Sequence, residues 1–298
     1  MKKNNKTKVR QATAKTTKPL PTWDFTDLYK GPADTALDVD VDSVVALCTS
    51  FSKKYKHNSD YLKEDEGGAV ALLQALSDWE KLTEDVGTVR PLWYLQNLLS
   101  IESSNSSIHA RLGVLESKVT NAMNEIVFFS IHIGKFTKEW QRKLLSDSRF
   151  EHFKYFLERL FIAATYNLSE DAEKVYNLLS RPSYTLWVDG FEKLLNEQEI
   201  VYKNKKMPLA KALATVHQLP TKERRALNSM CMQKLASISY FAEQEINAVY
   251  TTKKINDELR GYEKPYSETI IGYENNIQSI ENLVKTVTDN FKVSHKFF

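Results

Sequence analysis

Two cysteines in 298 residues, Cys48 and Cys231, exclude a disulfide framework. Neither belongs to a Cys-x-x-Cys pair of the metal or redox kind, and both sit in apolar patterns of helical period, so they read as small buried hydrophobes. Nine glycines and eight prolines are few for this length. That scarcity argues against a turn-rich β-sandwich and for long helices. No window approaches the ~18 continuous apolar residues of a membrane-spanning helix. The early lysines are not followed by an apolar stretch before Pro19, so no secretory signal is expected and the default location is the cytoplasm. There is no Gly-x-Ser-x-Gly phrase and no Gly-rich loop leading to Lys-Ser or Lys-Thr, which removes the serine-hydrolase elbow and the phosphate cradle.

Histidine offers little more. His57, His109, His132, His152, His217 and His295 make six, none is followed by Glu, and no two stand four apart. The helical zinc pair, two histidines one turn apart with a glutamate beside the first, is therefore missing. His132 and Glu125 could share a helix face, but two turns apart, and the Glu151 beside His152 points another way around the helix. These histidines read as structural. No residue is assigned as catalytic, cofactor-binding or metal-binding.

A hydrophobic content of 42% is enough for a core in one large domain or two ordinary ones. The net charge of +3 hides an asymmetry: residues 1–18 hold seven Lys and Arg and no acid. Subtracting those seven from +3 leaves −4 for the rest. Residues 1–21 therefore read as a disordered basic arm. The arm has no aromatic residue for base stacking and the body no evident basic patch, which argues against a nucleic-acid partner.

Along the body the period is helical. Val41, Val44, Val45, Cys48, Phe51 and Tyr55 open the pattern, Gly67-Gly68 breaks it, and Val70, Leu73, Leu76, Trp79, Leu82 and Val86 continue it to Gly87. Another helix is expected over about 89–103. Ile108, Leu112, Leu115, Val119, Ala122, Ile126 and Phe129 alternate steps of four and three, a heptad seam suited to packing within the chain. Thr137 can cap a short helix containing Trp140, and Phe150, Phe153, Phe156, Leu157, Leu160 and Phe161 line a further one. Ser169 precedes Glu170, Asp171 and Glu173 as an N-cap with acids in the first turn. A sub-boundary is expected near 183–190. Glu199-Ile200-Val201-Tyr202, a polar turn and Met207-Pro208-Leu209 read as a small β-hairpin over 199–209 feeding a helix. The longest helical stretch is expected over 222–259, with Gly261 as its left-handed terminator, and a last helix runs from Ile277 through Phe291. The class is predominantly all-α, a multi-helix body with one hairpin.

Four phrases stand in a telling order: Pro21-Thr22-Trp23-Asp24-Phe25-Thr26-Asp27-Leu28-Tyr29; Phe156-Leu157-Glu158-Arg159 leading to Leu168-Ser169-Glu170-Asp171-Ala172-Glu173; the hairpin with Pro208-Leu209-Ala210-Lys211-Ala212-Leu213; and Leu259-Arg260-Gly261-Tyr262-Glu263-Lys264-Pro265. In this order and spacing residues 22–298 resemble the N-terminal half of oligoendopeptidase F (PepF-like) zinc peptidases. The resemblance implies a helical channel wall that admits short unfolded peptides, with the zinc ligands and general base in a C-terminal half. The aromatic opening segment is expected to bury its rings on the helical body. Arg260-Gly261-Tyr262 reads either as a helix terminus or as a loop lining the peptide channel.

The last helix carries its apolar pattern to Phe298 with no C-cap glycine and no polar tail, whereas natural termini are usually polar and frayed. The resemblance places Val293-Ser294-His295-Lys296-Phe297-Phe298 just before the catalytic half. The expectation is a truncated product, inactive alone, whose partners are that missing half and short peptides, with zinc only in the full-length protein. A free-standing helical binding or scaffold protein derived from such a half stays open. So does an unrelated helical protein that uses its basic arm on nucleic acid.

Overall fold

The computed structural model describes residues 23–86, 89–103 and 105–297. The basic arm expected over 1–21, Gly87 and Phe298 lie outside the described residues. Helix α1 spans Ala36–Tyr55, α2 Glu66–Val86, α3 Arg90–Ile101 and α4 Ser106–Asn124. Their apolar stripes face one another as the period demands. Two apolar cores result. One gathers Cys48, Phe51, Tyr55, Leu72, Leu76, Phe128 and Phe129 among others. The second gathers Leu37, Val41, Tyr94, Leu95, Ile108, Leu112, Leu115 and Val119. The heptad seam is thus buried along its length, Ile126 and Phe129 included.

That seam is not one helix. The α-helix ends at Asn124, and Glu125 and Ile126 donate their amides to the carbonyls of Ala122 and Met123, a tightened turn. Ile126, Phe128 and Phe129 are consecutive enough to exceed a single stripe, so the chain must bend around the core to bury all three. The next helices are α5 (Phe128–Gly134), α6 (Lys138–Ser146) and α7 (Lys154–Ala163), the last preceded by a 3₁₀ segment over Ser148–Phe153. Thr137 caps α6 through its hydroxyl on the Trp140 amide at 3.2 Å.

Two expectations near the start need correcting. Gly67-Gly68 does not break the helix: both lie in the first turn of α2. A Cβ on Gly68 would stand 1.9 Å from the Lys63 carbonyl oxygen, so this glycine serves a close backbone approach. The opening aromatic segment is only partly buried. Tyr29 is sealed in the second core and its hydroxyl donates to Asp40 at 2.6 Å. Trp23 is 80% exposed and stacks on Phe25 instead, because the chain turns over residues 26–28 and leaves the Trp beyond the helices.

The second part begins with α8 (Glu170–Ser180), capped by Ser169 on the Ala172 amide at 3.3 Å. A single π-helical turn over Arg181–Thr185 passes it without a linker into α9 (Leu186–Asn196). Pro182 supplies the cause, since it brings no N–H to the ladder. Strands β1 (Glu199–Tyr202) and β2 (Lys205–Pro208) pair antiparallel, with Lys203 and Asn204 both at positive φ in the two-residue turn. Helices α10 (Leu209–Val216) and α11 (Thr221–Ser237) close a third, small core around Ile200, Leu209, Ala212, Leu227 and Cys231. Residues 183–190, the expected sub-boundary, lie in the π turn and the start of α9.

The stretch expected as one helix over 222–259 is two, α11 and α12 (Ser239–Arg260), parted at Ile238. Ser237 and Ser239 turn their hydroxyls onto the carbonyls of Lys234 and Ala236, which competes with the helical ladder at the break. Gly261, at φ 73° and ψ 33°, ends α12 as a left-handed terminator. Helix α13 (Ser267–Gly272), α14 (Ile277–Asp289) and a 3₁₀ segment over Phe291–Lys296 complete the described chain. None of the described helices is long and apolar enough to cross a membrane.

Candidate functional site

Helices α8 and α12 bury polar side chains rather than apolar ones. Helix α8 buries only Glu173 and α12 only Asn256, while Val175, Leu178 and Leu179 of α8 and Ile246, Tyr250 and Leu259 of α12 stay exposed. The buried polar pair is the organising feature. Arg260 of α12 meets Glu173 of α8 with two parallel bonds of 2.7 and 2.8 Å, a fork-on-fork pair with little solvent access. The same guanidinium donates to the Tyr166 carbonyl at 3.1 Å and to Asn256 Oδ1 at 2.7 Å, and lies 5.4 Å from the Tyr176 ring centre. Asn256 then donates to Glu268 at 3.2 Å. Burial pushes the Glu173 carboxyl up, but the Arg260 bonds, the Leu168 amide and the Arg260 charge outweigh it and hold it below the usual carboxylate range.

Sharing Tyr176, Asn256 and Glu268 with this knot is an open groove of about 390 Å³, walled by Tyr176 of α8, Tyr184 of the π turn and Tyr250, Lys253 and Asn256 of α12, with Glu268 of α13 among its lining. The π turn sets the tyrosine spacing, and Thr252 holds it by donating to the Ser183 carbonyl at 3.1 Å. On the far side α9 packs on α12 through Trp187 and Phe191 against Phe241. Lys253 bonds Asp257 and reaches Glu268 at 3.2 Å, and those bonds raise its pKa although burial works against its charge. Burial also pushes up the Tyr176 hydroxyl. The groove lining presents aromatic rings and paired charges and no nucleophile beside a base.

Arg260-Gly261-Tyr262 has the geometry of a helix terminus. Its arginine is committed to Glu173, and Tyr262 stacks on Tyr166 with ring centres 4.5 Å apart. The histidines stand apart. His132 is 3.5 Å from Glu170, while Glu125 pairs with Lys56 at 3.5 Å. His152 meets Glu80 at 2.7 Å, and His109 meets the Ser103 carbonyl at 2.8 Å. Burial lowers the His132 pKa despite Glu170. Among the described residues no three His, Cys, Asp or Glu side chains are grouped to hold a metal ion, so the donor set for zinc does not fit here. Cys48 and Cys231 are buried in the first and third cores, and burial pushes both thiols up.

Reading the sequence alone missed the three tyrosines and Glu268. Pro182 inside a helical pattern was the available signal for the irregular turn, and Lys253/Asp257 and Asn256/Arg260 at i,i+4 were the signal for a polar face.

No protein-family model and no curated protein matches the sequence. Solved structures do match the fold. Oligoendopeptidase-F from Enterococcus faecium superposes with a TM-score of 0.71 at 12% identity, over 88% of this chain and 52% of that one. A protein from Chlamydophila abortus described as a "putative peptidase" gives 0.52 at 17% identity, over 93% of this chain and 46% of that one. The chain thus has the helical fold of these proteins and spans about half the length of each.

Proposed function

We propose that this chain forms the channel-wall part of an oligoendopeptidase F-like zinc endopeptidase acting on short peptides in the cytoplasm. The zinc ligands and the general base belong to residues outside this sequence. The observation that carries the reading is the superposition itself: nearly the whole chain follows about half of oligoendopeptidase-F, and these 298 residues hold no His-Glu-x-x-His. The exposed apolar faces of α8, α12 and α14 support it, because a helix sheds such a face only against another surface. In the assembled protein the chain binds and orients an extended peptide and excludes folded ones. The catalytic half outside this sequence would supply the metal, and with it an activated water.

The test joins the two parts. The coding sequence that follows, in any frame, should reach His-Glu-x-x-His within about one domain length. The two parts produced together should copurify and cleave a quenched heptapeptide in a chelator-sensitive way. A locus without that motif, and a chain that promotes no cleavage with any such partner, would replace this reading with a free-standing helical binding protein.

A further inference from the structure

The groove beside the Arg260–Glu173 knot has a chemistry more specific than peptide binding in general. Three tyrosines converge on it from separate elements, and Tyr250 is 72% exposed and Tyr184 46% exposed. Their ring faces carry partial negative charge. The charged side chains that line the groove are one cation, Lys253, and one carboxylate, Glu268, which meet at 3.2 Å. Arg260 of the knot is engaged by Glu173, Asn256 and the Tyr166 carbonyl. An incoming carboxylate would find no free cation among the lining residues, since Lys253 already holds Asp257 and Glu268. An incoming guanidinium would find the rings of Tyr184 and Tyr250 and, at the rim, Glu268, which among the described residues bonds Lys253 and Asn256 at 3.2 Å each.

On this basis, and resting on the peptide-binding reading above, we propose that the Tyr176–Tyr184–Tyr250 groove takes an arginine or lysine side chain of the bound peptide, its cation over the Tyr184 and Tyr250 rings and its donors toward Glu268. The rings supply cation–π attraction, and the carboxylate fixes orientation. Arginine suits the place better than lysine, because a planar guanidinium both stacks on a ring and forks onto a carboxylate. The residues are selectivity-determining rather than catalytic, since the groove holds no reacting group.

The experiment uses the full 298-residue chain and two capped pentapeptides, Gly-Gly-Arg-Gly-Gly and its citrulline counterpart, which has the same shape without the charge. Calorimetric titration gives affinities, and isotope-labelled tyrosine rings report the location. The arginine peptide should bind about three- to tenfold more tightly than the citrulline peptide. It should move the Tyr184 and Tyr250 ring signals, and added salt should narrow the gap. Tyr250→Leu and Glu268→Gln should each erase most of the preference. Tyr240→Leu, on the same helix but away from the groove, should leave it intact. Equal affinities, no binding of either peptide, or an equal loss in Tyr240→Leu would overturn the proposal. A chain that restores chelator-sensitive cleavage with the catalytic half yet shows no arginine preference would keep the proposed function and lose this groove.

Discussion

Replacing Arg260 by methionine isolates the polar knot that joins α8 to α12. The methionine stem keeps the packing on Tyr176 but removes four hydrogen bonds: two to Glu173, one to Asn256 and one to the Tyr166 carbonyl. The pair is nearly dry, with side chains 13% and 11% exposed, so solvent screens it little. Breaking such a pair leaves Glu173 buried with the Leu168 amide as its remaining donor, at 2.9 Å. The expected loss is about 3 kcal/mol, or roughly a 6 °C fall in melting temperature at this chain length. The companion Arg260→Met/Glu173→Met should recover most of that loss, because two apolar side chains leave no charge stranded. The pH dependence has a definite sign. In the wild type the Glu173 carboxyl is held low, so its contribution is complete above the ordinary glutamate value of 4.5 and fades as pH falls through the lower folded value. In Arg260→Met burial is opposed only by the Leu168 amide and the folded value moves up, so protonation relieves the variant first. The gap between the two proteins should therefore shrink as pH drops from 7 toward 4. Urea denaturation followed by helical circular dichroism at several pH values measures it. A variant within ~0.5 kcal/mol of wild type at pH 7, or a gap that widens in acid, would show that the pair does not carry the joint.

Adjacent glycines should behave oppositely. Gly68→Ala drives a Cβ into the Lys63 carbonyl and should cost about 2–4 kcal/mol, whereas Gly67→Ala meets nothing closer than Asp65 Oδ1 at 3.4 Å and should be neutral or slightly stabilising in thermal melts. The chain by itself should hold no stoichiometric zinc after dialysis and leave a quenched peptide uncut; one tightly held zinc per chain with chelator-sensitive cleavage would refute the assignment of the chemistry to other residues. On α14, Leu283 and Val287 are more than half exposed, so Leu283→Glu/Val287→Glu should change stability by less than ~0.5 kcal/mol while reducing any self-association seen by sedimentation. A loss above ~2 kcal/mol would mean that this face is already covered.

Much of the architecture was legible in one dimension because helical burial is periodic. The stripes of α1 and α4, the Ser169 and Thr137 caps, the two-residue hairpin turn and the Gly261 terminator all depend on neighbours within a few residues, and each stands where local chemistry put it. Helix α2 instead buries Ala69, Leu72 and Ala75 with Leu76 and leaves Val70 of its expected stripe exposed. The bends did not show. The break at 125–127 arises because consecutive apolar residues must all reach one core, the one at Ile238 because two serines cap the same few carbonyls, and neither alters the period on either side. The absence of His-Glu-x-x-His was likewise decided by sequence, since that ligand spacing is local to one helix. The groove belongs to tertiary structure alone. Tyr176, Tyr184 and Tyr250 share no period, and Arg260 finds Glu173 across 87 residues. Sequence spacing fixes which face of a helix a residue occupies; which faces then meet depends on long-range packing, and so on how α8, the π turn and α12 come together in space.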